Sequence, residues 1–130
     1  MSDMPTVGQL FSTYAWSMDA REFELFDEVF SEDATFVVSI AGTVAASFEG
    51  RTALVDFIRS TTLDQKDQRR HVITNVRLAG GDKATATLTL LVVDNGELIV
   101  KSCGVYRVDL VQEGGAWRFG AMDLALDLGF

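Results

Sequence analysis

The hydrophobic period changes once along this chain, from about 3.6 residues near the N-terminus to about 2 near the C-terminus, with one helical interlude between. Val7, Leu10, Phe11, Tyr14, Ala15 and Met18 follow the spacing of one helix face, and Pro5 stands in the first turn, where a missing N–H is harmless. This pattern predicts a helix over about residues 5–19. A second amphipathic segment sets Phe23, Phe26, Val29 and Phe30 on one side and Glu22, Glu24, Asp27 and Glu28 elsewhere, until Ser31-Glu32-Asp33 interrupts it. It reads as a short helix with an acidic, solvated outer face. Ala34–Ile40 is β-branched and aromatic, and Thr43–Phe48 follows the Ala41-Gly42 break, so the two runs predict a hairpin. Gly50 then precedes Arg51–Arg59, where Leu54, Phe57 and Ile58 share a face and predict a third helix.

From about residue 69 onward the chain reads as strand and turn. Gly80-Gly81-Asp82, Asp94-Asn95-Gly96 and Glu113-Gly114-Gly115 punctuate four runs, which predict four successive antiparallel strands. Thr85, Thr87 and Thr89 alternate with Ala86, Leu88 and Leu90, so one sheet face is polar and the other must be covered. Three helices ahead of a long meander describe a single α+β domain with helices packed on one face of a curved sheet.

Composition narrows the partners. The chain has 130 residues, 48% of them hydrophobic, which suffices for one sizeable core. A formal charge of −8 repels phosphate backbones and anionic bilayers, so neither nucleic acid nor membrane is an expected partner. No apolar run approaches the roughly 20 residues of a membrane span, and Met1-Ser2-Asp3-Met4-Pro5 lacks the features of a signal peptide, so a cytoplasmic location is expected. Cys103 is the only cysteine and His71 the only histidine, which excludes an internal disulfide and a His/Cys metal cluster. No metal site is expected. Gly-x-Gly-x-x-Gly, Gly-x-Ser-x-Gly and His-Glu-x-x-His motifs are all missing.

Several motifs in order carry a resemblance. Tyr14-x-x-x-x-Asp19, the acidic and aromatic segment with Phe30, Asp33-Ala34 leading into a strand, Gly50-Arg51-x-Ala53-Leu54, His71-x-x-Thr74-Asn75 and Trp117-Arg118-Phe119 span nearly the whole chain. Together they resemble the SnoaL-like branch of the nuclear transport factor 2-like superfamily, which includes polyketide cyclases, scytalone dehydratase and hexachlorocyclohexane dehydrochlorinase. The resemblance implies a cone-shaped α+β barrel with a mostly antiparallel sheet, open to an apolar cavity and assembled as a homodimer through the outer sheet face. For function it is less specific, because the fold hosts isomerases, dehydratases, cyclases, accessory subunits and binding proteins.

In the dehydrochlorinase a helix-1 aspartate orients a strand histidine that abstracts a proton, and Asp19 and His71 match those positions. The chemistry is sound without the family: a carboxylate that accepts from one ring nitrogen fixes the tautomer and leaves the other as a base. Such a pair needs no cofactor. Strand alternation puts His71, Ile73 and Asn75 on one face, and Asp19 sits at the edge of the buried helical stripe. Asp19 has a second reading as N-cap of the next helix, with Glu22 completing a capping box. Tyr14, Trp16, Phe36 and Asn75 are the candidate substrate contacts, with Tyr14 or Asn75 as donor to a developing anion. Trp117 and Phe119 read as structural, Lys101 and Arg107 as outward-facing, and Cys103 as a buried, inert thiol. The expected activity is that of a lyase or isomerase, whether dehydratase, dehydrohalogenase or ketosteroid-isomerase-like, acting on a small apolar ligand. Having one histidine, the chain departs from the two-histidine pattern of scytalone dehydratase. The alternative is a non-catalytic apolar-ligand-binding dimer, or an accessory subunit resembling the small subunit of ring-hydroxylating dioxygenases.

Overall fold

The computed structural model describes residues 3–129. Helix α1 (Met4–Asp19) starts where the side chain of Asp3 accepts from the Thr6 N–H at 2.9 Å, with Pro5 in the first turn. Its stripe of Val7, Leu10, Phe11, Tyr14 and Met18 is buried. Along the chain, strands β1 (Phe30–Ile40) and β2 (Thr43–Glu49) precede helix α2 (Arg51–Asp64), and β3 (Gln68–Leu78), β4 (Lys83–Asp94), β5 (Glu97–Glu113) and β6 (Ala116–Leu126) follow it. The six strands form one sheet in the order β2-β1-β6-β5-β4-β3. All neighbours are antiparallel except β1 and β6. The result is a cone-shaped α+β barrel of helices on one face of a curved, mostly antiparallel sheet.

Two elements differ from the expected ones. The second helix is a short 3-10 segment, Phe23–Glu28, whose three-residue repeat turns both Phe23 and Phe26 inward. Phe30 does not close that helix but opens β1, paired with Phe119 of β6. Helix α2 runs five residues past Arg59, because Thr62 continues the buried line of Leu54 and Ile58. A threonine in that place hides the apolar period.

Inward positions of β4, β5 and β6 meet α1 in the core, with Leu88, Tyr106, Phe119 and Met122 all fully buried. Gly104 is required where β5 pairs with β6, since a Cβ there would collide with the Ala125 carbonyl oxygen. Cys103 corrects an expectation: it lies exposed on the outward face, where its Sγ donates to Asp127 at 3.4 Å. That carboxylate pushes the thiol pKa up, which favours the unreactive thiol form. Among the described residues no helix is long and apolar enough to cross a membrane.

Candidate active site

The cone encloses a cavity of about 310 Å³ between the C-terminal half of α1, helix α2 and the inner sheet face. Its middle is apolar, walled by Met18, Phe36, Val38, Phe57, Ile58 and Leu124. Phe57 is held in place by stacking on Phe48, with ring centroids 4.4 Å apart.

Asp19 is the last residue of α1. A carboxylate is disfavoured there, because the helix C-terminus already carries partial negative charge. Its environment supplies the compensation from β3. One oxygen accepts from the backbone N–H of His71 at 2.9 Å, and the other lies 2.6 Å from His71 Nδ1. Both side chains are largely withdrawn from water, at 10% exposure for Asp19 and 13% for His71. An ionised carboxylate is acceptor-only, so the neutral imidazole beside it carries its proton on Nδ1 and a lone pair on Nε2. The structure thus brings Asp19 to β3 rather than to the following turn, which corrects the N-cap reading. The 3-10 segment has Glu22 at its N-cap position and no side-chain cap hydrogen bond.

Tyr14 and Tyr106 also line this cavity, and the Tyr106 hydroxyl donates to that of Tyr14 at 3.3 Å. Burial pushes both phenol pKa values up, with the Asp19 charge adding to the effect. Both rings remain neutral hydrogen-bond donors, and the Tyr14 proton is left without a protein acceptor among the described residues. Tyr106 was not singled out from sequence, yet it had a signal. It is the aromatic member of the inward series Ser102, Gly104, Tyr106, Val108 and Leu110 on β5.

Of the other candidate contacts, Phe36 is buried and lines the cavity. Trp16 does not. It is 57% exposed, on the side of α1 away from Tyr14, and its Nε1 donates to Glu22 at 3.0 Å. Asn75 also falls outside. A bulge interrupts the pairing of β3 with β4 between Thr74 and Arg77, and Asn75 takes a left-handed φ of 54° within it. The extra residue breaks the alternation, so Val76 is half-buried and Asn75 exposed. At the mouth stand Arg21, Gln65, Asp67, Gln68 and Arg69, none of them singled out from sequence. Among the described residues no three His, Cys, Asp or Glu side chains converge as metal ligands would.

Fold and cavity together define a cystatin-like α+β barrel. The chain belongs to the SnoaL-like domain family, whose model matches residues 1–123. No curated protein matches it. Among solved structures it is similar to ActVI-ORFA from Streptomyces coelicolor, with a TM-score of 0.77, 18% identity, and 95% of this chain and 96% of that one covered. It is also similar to the beta subunit of a protein assigned as an aromatic-ring-hydroxylating dioxygenase from Novosphingobium aromaticivorans, with a TM-score of 0.75, 19% identity, and coverage of 97% and 90%. A third similar structure is a cystatin-like fold protein from Nostoc punctiforme, with a TM-score of 0.71, 19% identity, and coverage of 94% and 89%. At these identities the likeness concerns the fold alone.

Proposed function

We propose that this protein is a cofactor-independent lyase or isomerase, in which His71 removes a proton from a small, largely apolar substrate and Asp19 orients and then stabilises the imidazolium. The observation that carries this reading is the two-point contact of Asp19 with the backbone N–H and Nδ1 of His71 on the wall of an apolar cavity. The Nε2 lone pair takes the proton, and the C–H electron pair moves onto an adjacent carbonyl oxygen. Tyr14, itself held by Tyr106, donates to that oxygen as charge develops. An isomerase returns the proton at a second carbon, whereas a lyase expels a leaving group. The apolar walls exclude water, which strengthens both interactions.

The reading extends to a homodimer. Val72, Leu91, Val93, Leu98, Val100 and Val105 are partly or well exposed on the outward side of β3, β4 and β5. An apolar sheet face of this kind suits a second copy of the chain, which presents the same surface.

The test is turnover of ketosteroids, halogenated cyclohexanes and small polyketides by wild type and His71→Ala. A placed general base contributes about 10² to 10⁴ in rate, and a loss of that size is expected for any substrate turned over. Turnover unaffected by the substitution contradicts the assignment. A second reading, as a non-catalytic accessory subunit, draws on the likeness of fold to the dioxygenase beta subunit and predicts ligand binding without turnover in the same screen.

A further inference from the structure

Arg21 occupies a position that ordinarily belongs to glycine. It follows the C-cap of α1, donates its N–H to the Met18 carbonyl at 3.2 Å, and has a φ of 57°. Helices commonly end on a left-handed residue there, and glycine adopts that conformation without the steric cost borne by residues with a Cβ. The guanidinium reaches across the cavity mouth and donates to the Gln65 carbonyl at 3.0 Å, at the C-terminal end of α2. No carboxylate of the described residues lies within ion-pair distance of it. One guanidinium nitrogen is engaged by Gln65, which leaves further donors for a ligand.

Arg69 stands at the same mouth, two residues before His71 and on the same face of β3. It holds Asp67 through Nε at 3.0 Å. The cavity therefore combines an apolar lining that includes Phe36 and Phe57, the proton-transfer groups Asp19 and His71, and the guanidinium groups of Arg21 and Arg69.

We propose that the ligand of this cavity is a ring-bearing acid, with its carboxylate held at the mouth by Arg21 beside Arg69 and its reacting C–H toward His71. The location of the reacting carbon rests on the function proposed above; the preference for an acid does not. A planar guanidinium matches a carboxylate in two-pronged fashion, and the apolar walls accept the ring. This assignment also explains why a chain with an excess of acidic residues leaves Arg21 without an acidic partner.

The test is calorimetric titration with 2-naphthoate and its neutral counterpart, methyl 2-naphthoate, which share one ring system and differ in charge. Wild type is expected to bind the acid about tenfold more tightly than the ester, the scale of one charge-assisted contact. Arg21→Gly and Arg21→Gln should both abolish that preference while binding the ester within about twofold of wild type. Arg21→Gly should also melt at or above the wild-type temperature, because the glycine relieves the left-handed conformation. Equal affinity of wild type for acid and ester, no binding of the acid at millimolar concentration, or a preference that survives both substitutions would each overturn the proposal. Failure of the catalytic reading is distinguishable: His71→Ala would then leave turnover intact, whereas the acid preference is read from binding alone.

Discussion

Replacement of Asp19 by asparagine separates two accounts of that residue. If Asp19 were a helix cap, asparagine would serve as well as aspartate and stability would hardly change. The observed geometry demands a larger effect. Both carboxylate oxygens are acceptors, for the His71 N–H at 2.9 Å and for Nδ1 at 2.6 Å. An amide offers one acceptor and one donor to these two donors. Either its NH2 opposes the backbone N–H, or it forces the ring to the other tautomer. Each charge-assisted bond contributes about 1.5–3 kcal/mol, and a neutral one about 1. Relief of an acid from the helix C-terminus returns about 0.3–1 kcal/mol. The balance is a destabilisation of about 1–3 kcal/mol, or about 4 °C in melting temperature per kcal/mol at this chain length. Urea denaturation of Asp19→Asn and Asp19→Ala is the assay. An Asp19→Asn midpoint equal to that of wild type would refute the paired geometry and restore the capping account.

The remaining predictions use the buried phenols and the outer sheet face. Tyr14 and Tyr106 have folded pKa values above their unfolded ones, so below about pH 10 both states are protonated and full stability is present. At higher pH only the unfolded chain releases these protons, and each phenol removes about 1.36 kcal/mol of stability per pH unit. Tyr106→Phe should therefore show an alkaline loss of stability shallower by one proton than wild type, measured by urea titration across pH; an identical slope contradicts the burial argument. If the proposed dimer forms, wild type should sediment as a dimer and Val105→Arg, on the outward face of β5, as a monomer with the fold unchanged by circular dichroism. A variant that sediments like wild type would show that this face is not the interface.

Legibility of the fold followed the strength of the local signals. The α1 stripe was readable because every buried position from Val7 to Met18 apart from Ser17 is apolar. The last turn of α2 was not, because Thr62 takes a place in the buried line that an apolar residue would have advertised. The Asp19–His71 pairing was legible only through motif positions. Its physical hint is local and weak: an acid at a helix C-terminus contradicts the dipole and asks for a partner elsewhere. Asn75 was misplaced because alternation assumes an unbroken ladder, and the bulge depends on pairing with β4. Trp16 was drawn into the site by its aromatic character alone, although its angle on α1 opposes the buried stripe. The mouth residues Arg21 and Arg69 carried no periodic signal, since they come to one cavity only when the end of α1 and the start of β3 are brought together.

The central claim is that Asp19 fixes the His71 tautomer with Nε2 left as the base. His71 is the only histidine, so a long-range nitrogen–proton spectrum of protein labelled at histidine with ¹⁵N contains one imidazole and needs no assignment. In the neutral form the account predicts a protonated Nδ1 and an unprotonated Nε2, with the pattern lost in Asp19→Asn. A neutral ring protonated at Nε2, or the same spectrum in Asp19→Asn as in wild type, would contradict it.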